Sequence, residues 1–373
     1  MTKVCYVIPS LSVGGTERQL TELVQGLAPD HEIIVVCTRF NGALAGDVRR
    51  AGASLHVLGT KTAWDPSLFW KLRTVFRRLR PDIVHTFMSG FDLAANLAAR
   101  SAGVGAVISS RRELATWMRR RHRLMQDWAN RYVDCIVANS NAVAEYATAN
   151  EKVDSALFHV IPNGVRAETF VSRADRHDLL VRHRIPFHCR IIGIVANFSP
   201  VKDHALFVQT AKLLLKRRAG VHFLMIGNGR LVGSVDSMID ALGMASCFTR
   251  ATALPEMPEL YALMDVSVLC SKAEGSPNVI MESMAAGTPV VAAAVGGVIE
   301  LVRDGDTGRL VFSREPRDFA DAIEWVLNHP AESRALADRA GQFVRKEFTI
   351  EKMVESYRRL YAELLANARG KGR

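Results

Sequence analysis

The 373-residue chain has no CxxC pair, no clustered His/Cys ligand set, no DxD placed between strands to hold a divalent ion, no internal repeat and no low-complexity segment. A zinc centre and a disulfide-stapled secreted scaffold are therefore not expected. The six cysteines (Cys5, Cys37, Cys135, Cys189, Cys247, Cys270) are scattered, several inside apolar runs, and read as reduced core thiols. No apolar stretch approaches the length of a membrane span, and the opening MTKVCYVIPSLSVGG carries neither a long apolar region nor a cleavage site. The expectation is a cytoplasmic protein, with contact to the inner face of a membrane left open. Acid is the scarcer charge: 38 Asp and Glu stand against 48 Lys and Arg, a formal net charge of +10 that favours anionic partners. Phosphates, nucleic acid and anionic bilayers all qualify, but no nucleic-acid-binding motif accompanies the basic residues, so nucleic acid is not expected.

What is present is apolar, at 49% hydrophobic against 23% charged, and too long for one ordinary core. Short apolar runs alternate with helix-length patterns. In the first half they are VCYVIP (4–9), EIIVVC (32–37), SLHVL (54–58), DIVHTF (82–87), AVISS (106–110), DCIVAN (134–139) and HVIPN (159–163). A second series, RIIGIVANF, VHFLMIGN, VSVLCS, PVVAAA and GRLVF, follows a polar, charge-rich stretch. This βαβ alternation predicts an α/β protein with two Rossmann-like, doubly wound parallel-sheet domains. The boundaries read as 1–165, a linker at 166–188, a second domain at 189–346, and a C-terminal helix with a basic tail at 347–373, packing back on the domain junction.

Several segments fall where strands end and helices begin, the edge at which such sheets bind ligands. In SLSVGGTERQL, Gly14-Gly15 permits a tight turn, while Thr16 with Gln19 fits a capping box at the next helix. An anion over those amides would gain from the helix dipole, and a purely structural turn fits equally well. In ANFSPVKDH, Lys202 stands where the next helix begins and suits a diphosphate, or is a solvated lysine. In MIGNGRL, Gly227 and Gly229 mark a crevice loop or an ordinary turn. In AEGSPNVIMESMAAGTPVVA, Ser276 and Pro277 read as a helix start, Asn278 and Glu282 share a helical face, and Glu274 precedes the helix. Two carboxylates near one set of amides suit a ligand with both phosphate and hydroxyls. Taken locally, an exposed helix acid and a dipole-complementing acid explain them as well.

Read together, EGSPNVIMESMAAGTPVVAAAVGG closely resembles the signature of the retaining, GT-B-fold glycosyltransferases of family four, with two acids separated by seven residues and a GG turn. VIPNGV, IVANFSPVKDH, FLMIGNG, LYALMDVSVLCS and NSNAVAEY extend the resemblance over nearly the whole chain. It implies two Rossmann-like domains facing across a cleft, with a nucleotide-diphosphate sugar as co-substrate, no cofactor and no metal. A saccharide or lipid-linked acceptor would meet the first domain, in polysaccharide or glycolipid synthesis. By motif position Glu274 would meet the transferred sugar, Glu282 the ribose and Lys202 the diphosphate. Gly14, Gly15, Gly275, Ser276, Asn278 and Val279 would offer backbone amides. Transfer would occur on the front face, the departing phosphate deprotonating the acceptor. Two positions depart from the family pattern. Asn197 stands where an arginine usually accompanies the lysine, leaving Arg230 or a neighbour as its substitute. His85 is followed by Phe87 where relatives have a second histidine, so His85 either touches the sugar or is structural. An epimerase of similar architecture and a non-catalytic nucleotide-sugar sensor are the competing readings.

RRELATWMRRRHRLMQDWANR (111–131) mixes seven arginines, Arg111, Arg112, Arg119, Arg120, Arg121, Arg123 and Arg131, with Trp117, Met118, Leu124, Met125 and Trp128. It reads as a basic amphipathic helix for an anionic membrane surface or as a helix packed on the sheet.

Overall fold

The structure is a computed structural model describing residues 1–62, 65–87, 90–172, 174–251 and 257–371, with side chains through 368. Arg173 of the expected linker, and Gly372 and Arg373 of the basic tail, lie outside the described residues. The chain divides into two compact units, Met1–Gly164 with Ile350–Arg373, and Val165–Thr349.

The first unit runs β1 (Thr2–Ile8), α1 (Gly15–Leu27), β2 (His31–Cys37), α2 (Ala45–Arg50), β3 (Ser54–Val57), α3 (Ser67–Leu79), β4 (Ile83–Thr86), α4 (Asp92–Ser101), β5 (Ala106–Arg111), α5 (Arg120–Ala129), β6 (Cys135–Ala138), α6 (Asn141–Asn150) and β7 (Phe158–Val160). Its seven strands lie parallel in the order β3-β2-β1-β4-β5-β6-β7. Strand β1 shows why the runs are apolar throughout. Val4, Tyr6 and Ile8 face the layer of α1 and α2, while Cys5 and Val7 face that of α3 and α4. Both faces are covered, so no position alternates to solvent.

The second unit contains α7 (Arg176–His183), β8 (Arg190–Val195), α8 (His204–Arg217), β9 (Val221–Ile226), α9 (Val232–Ala241), β10 (Phe248–Ala251), α10 (Met257–Leu263), β11 (Val266–Leu269), α11 (Asn278–Ala285), β12 (Val290–Ala293), α12 (Val298–Leu301), β13 (Arg309–Val311), α13 (Pro316–Asn328) and α14 (Pro330–Glu347). Its six parallel strands are ordered β10-β9-β8-β11-β12-β13. In both sheets the chain order reverses at the first strand, between β1 and β4 and between β8 and β11. Loops leaving the carboxyl ends of those pairs diverge and open a crevice.

Three expectations are corrected. The segment 166–188 is no linker: Ala167, Leu179, Leu180 and Ile185 are buried in the second unit's core, anchoring a 3₁₀ turn and α7 beneath a charged outer face. Strand β10 had no counterpart among the apolar runs, because an edge strand reading Phe-Thr-Arg-Ala is half-covered on every position but an exposed Arg250. Finally, α15 (Ile350–Lys371) belongs to the first unit's core, where Tyr357, Leu360 and Tyr361 are buried. Gly26 of α1 admits it, since a Cβ there would lie 2.4 Å from Cγ2 of Val354.

All six cysteines are free, and Cys5, Cys37, Cys135 and Cys270 are buried. Among the described residues no helix is long and apolar enough to cross a membrane, and no group of His, Cys, Asp and Glu is placed to hold a metal ion.

Candidate active site

In the second unit the turn after β8 carries Lys202 and the loop after β11 carries Glu274, so two neighbouring strands at the reversal point deliver opposite charges to one place. Lys202 Nζ donates to Glu274 Oε1 at 2.6 Å, and Ser271 Oγ donates to the same oxygen at 2.5 Å. Glu274 is 8% exposed; its paired lysine keeps about a quarter of its side chain in solvent. A buried carboxylate needs such partners.

Helix α11 begins at Asn278, one residue later than the sequence suggested. Pro277, not Ser276, occupies the cap position, in an extended conformation. One turn in, Glu282 is only 6% exposed, which removes the reading of it as a solvent-facing helix acid. Tyr261 Oη donates to Glu282 Oε2 at 2.8 Å, and Tyr261 is itself fully buried on α10. Gly275 is buried, and Asn278 and Val279 are half-buried at the helix start.

The glycines of MIGNGRL have a structural duty that sequence reading left open. Gly227 and Gly229 hold φ of 141° and 153°, and a Cβ on them would strike the carbonyl oxygens of Ala196 at 2.1 Å and Phe198 at 2.5 Å. Their loop is laced to the one after β8 by Phe198 N–H to Asn228 O at 2.9 Å and Leu231 N–H to Phe198 O at 3.2 Å. Asn197, standing in that laced segment, is exposed, as is Arg230 at the tip of the facing loop. Arg314, after β13, grips the same region through Asp203 and the carbonyls of Cys270 and Ser271. Ser271, Tyr261 and Arg314 were not singled out, although Tyr261 and Ser271 both lie within the family-like stretch LYALMDVSVLCS.

Two family models match consecutive stretches covering most of the chain: Glycosyltransferase Family 4 over residues 13–169 and Glycosyl transferases group 1 over 189–329. The chain belongs to the family 4 glycosyltransferases. A curated member, D-inositol 3-phosphate glycosyltransferase of Mycobacterium tuberculosis, is 31% identical over 255 residues, 64% of this chain and 51% of that protein. The chain thus spans about half the length of the curated relatives it matches. Among solved structures, Anabaena HepE in complex with UDP-glucose superposes with a TM-score of 0.87 at 20% identity, covering 98% of this chain and 100% of that one. A glycosyltransferase from Rickettsia africae gives 0.84 at 19%, covering 98% and 99%. These likenesses establish the fold as GT-B.

Within this family 4 fold the first unit departs from expectation at three places. His85 is completely buried. Its Nδ1 pairs with Tyr361 Oη and its Nε2 with Ser110 Oγ, both at 2.8 Å, and burial holds its pKa well below the ordinary value. It is a neutral structural histidine anchoring α15, with no ring nitrogen to offer a sugar. The capping box is absent as well. Helix α1 starts at Gly15 with Gly14 as an uncapped, extended N-cap, and Gln19 instead brackets Gly164, donating to its carbonyl at 2.7 Å and accepting from its N–H at 3.0 Å. Glu17 packs over Gly14, where a Cβ would meet its Oε2 at 2.3 Å, and burial raises its pKa. The turn expected to receive an anion therefore has a carboxyl group of its own beside it.

The arginine-rich segment does not form one helix. Arg111 ends β5, 2% exposed, with Nη2 to Glu151 Oε2 at 2.9 Å, Nη1 to Asp92 Oδ2 at 3.2 Å and Nη2 to Asn130 Oδ1 at 2.7 Å. Burial opposes its charge, but the carboxylates of Glu151 and Asp92 outweigh that and raise its pKa. Arg112 donates to Asn163 Oδ1 at 2.5 Å. Arg119, Arg120, Arg121 and Arg123 remain exposed on and before α5. Met118 is buried, whereas Trp117, Leu124 and Trp128 are each about half exposed, so packing on the sheet explains only part of the apolar stripe.

Proposed function

We propose that this chain is a retaining glycosyltransferase that moves a sugar from a nucleoside-diphosphate sugar to a hydroxyl of a saccharide or lipid-linked acceptor, without a metal, in cell-surface polysaccharide or glycolipid synthesis. The observation that carries the reading is the Lys202–Glu274–Ser271 cluster just before α11, followed one turn into that helix by the Tyr261-held Glu282. A diphosphate takes over Lys202, which releases Glu274 Oε1 to accept from sugar hydroxyls, while Glu282 accepts from the ribose. In the transfer the bond from the anomeric carbon to the phosphate oxygen breaks and one to the acceptor oxygen forms on the same face. The acceptor proton passes to the departing phosphate. Lys202 and the amides at the start of α11 stabilise the charge that develops there. The presence of UDP-glucose in the HepE structure supports a uridine donor, and the name of the mycobacterial relative supports a polyol or sugar hydroxyl as acceptor.

The test is a melting-temperature panel of UDP- and GDP-sugars, followed by product analysis with the donor that binds. A bound donor should raise the melting temperature, and the product should keep the donor's anomeric configuration by NMR. An inverted product, or turnover of donor to an epimer without acceptor, would overturn the reading.

An anionic membrane is the place at which we propose it works. Helix α3 contains Lys71, Arg73, Arg77 and Arg78 and no acid, and α4 packs between it and α5. Trp70 on α3 is 62% exposed and Trp128 on α5 is 54% exposed, which suits the interfacial depth of a bilayer. Vesicles with phosphatidylglycerol should pull the protein down in a salt-sensitive manner, each bound cation contributing about 1 kcal/mol. Reversing Arg78, Arg120 and Arg123 to glutamate should abolish it. Equal recovery on neutral phosphatidylcholine would sink the proposal.

A further inference from the structure

Arg314 touches neither Lys202 nor Glu274, yet it holds the backbone on which both are hung. Its Nη1 donates to the Ser271 carbonyl at 2.8 Å; its Nη2 donates to the Cys270 carbonyl at 2.7 Å and to Asp203 Oδ2 at 2.6 Å. Ser271 is the residue whose hydroxyl binds Glu274, and Asp203 directly follows Lys202. One guanidinium therefore spans the two loops that deliver the opposite charges of the site.

The second loop needs holding. Asp203 has φ 50°, the left-handed region that a residue with a Cβ enters reluctantly, and its carboxylate makes no capping bond to α8. It is spent instead on Arg314, with Lys272 Nζ a further 3.5 Å contact. The same loops meet through Lys272 N–H to Val201 O at 2.7 Å. A planar fork presents donors to three acceptors at fixed angles; an ammonium group, a single point charge, does not.

We propose that Arg314 is a positioning residue for sugar transfer: by tying Asp203 to the Cys270 and Ser271 carbonyls, it sets the spacing of Lys202 and Glu274. Its Nη1 and Nη2 are committed to protein acceptors, so it acts through these loops and not on the ligand. The inference rests on the reading of Lys202 and Glu274 as donor-binding groups. With Asn197 where relatives place an arginine, placement of Lys202 carries more of the diphosphate charge than it otherwise would.

The experiment compares wild type, Arg314→Ala, Arg314→Lys and Asp203→Ala, together with the Arg314→Ala/Asp203→Ala double variant, as full chains. UDP affinity is read by calorimetry, transfer from UDP-glucose by kcat and KM, and the Lys202–Glu274 separation by crystallography. For Arg314→Ala we expect a roughly 10- to 100-fold fall in kcat/KM, the range seen when a supporting contact around a reacting group is lost. We also expect a melting temperature close to wild type and Lys202 no longer within hydrogen-bond distance of Glu274. Arg314→Lys should recover part of the rate, and the double variant should be no worse than Arg314→Ala, because both remove one contact. An undisturbed Lys202–Glu274 pair in Arg314→Ala, or a rate loss that merely tracks a lowered melting temperature, overturns the proposal. Should the alanine variant fail to fold, the same structural and kinetic comparison on Arg314→Lys decides it. A wild type that binds no UDP rejects the donor reading; the crystallographic separation still judges the role of Arg314.

Discussion

Replacing Lys202 by alanine should lower kcat for sugar transfer by about 10²–10³-fold, the usual effect of deleting one charge-stabilising group from a reacting site. Lys202 faces Glu274 across 2.6 Å, on a loop laced to its neighbours, so its ammonium is in place before any ligand arrives. Preorganisation of this kind is what gives a single cation its large effect: once the donor has drawn Lys202 from Glu274, nothing further must move as diphosphate charge develops in the transfer step. UDP affinity should fall too. The leaving diphosphate carries more charge on its bridging oxygen than the intact donor does, so the loss in kcat should exceed the loss in binding. Lys202→Arg tests geometry against charge: a longer, planar cation beside Glu274 and Ser271 should restore binding better than rate. Steady-state rates and isothermal calorimetry on the three proteins check this, and an alanine variant with wild-type kcat would remove Lys202 from the mechanism.

The second large effect concerns stability. Arg111→Met should destabilise the first unit by about 3–5 kcal/mol, the penalty for breaking a buried ion pair from one side. Among the described residues Arg111 is the largest fully buried side chain, and it neutralises two carboxylates, Asp92 and Glu151, whose side chains are 1% and 5% exposed. Burial already raises the pKa of Asp92, with Arg111 pulling it back. Without the guanidinium both acids would face a low-dielectric interior unpaired. Adding Asp92→Asn and Glu151→Gln to Arg111→Met should recover part of the loss, because the uncompensated charge, more than the missing contact, causes it. Denaturant unfolding followed by hydrogen exchange at first-unit amides measures the effect. Protection unchanged in the single variant would show that the cluster contributes little.

Much of the architecture was legible because parallel strands covered on both faces are continuous apolar runs: β1, β2 and β9 announce themselves in a handful of residues. Strand β10 did not, since an edge strand with three half-covered positions and one exposed one has no run to show. The stretch 166–188 misled for the opposite reason. Its solvent-facing charges dominate the composition, while the anchors Leu179, Leu180 and Ile185 are few. Within the site, Glu274, Glu282 and Lys202 were readable from motif and strand-end position. The side chains that hold them were not: Arg314 lies 111 residues from Asp203, and Arg111 lies 40 from Glu151, distances over which local pattern carries no pairing information. His85 shows the same limit, since its decisive partner, Tyr361, is 276 residues away.

The route of the chain has a bearing on how the protein is made. The first unit is interrupted after Gly164 and resumes at Ile350, with Val165 N–H bonded to the Phe348 carbonyl at 2.8 Å where the two crossings run side by side. Everything between those crossings leaves the ribosome before α15 does. Until that helix emerges, Tyr6 and His85 lack their Tyr361 partner and the groove at Gly26 lacks Val354. The second unit can therefore complete its core first, although it comes later in the sequence. The first unit must wait, half-closed, for α15, and through that interval its apolar core stands partly open.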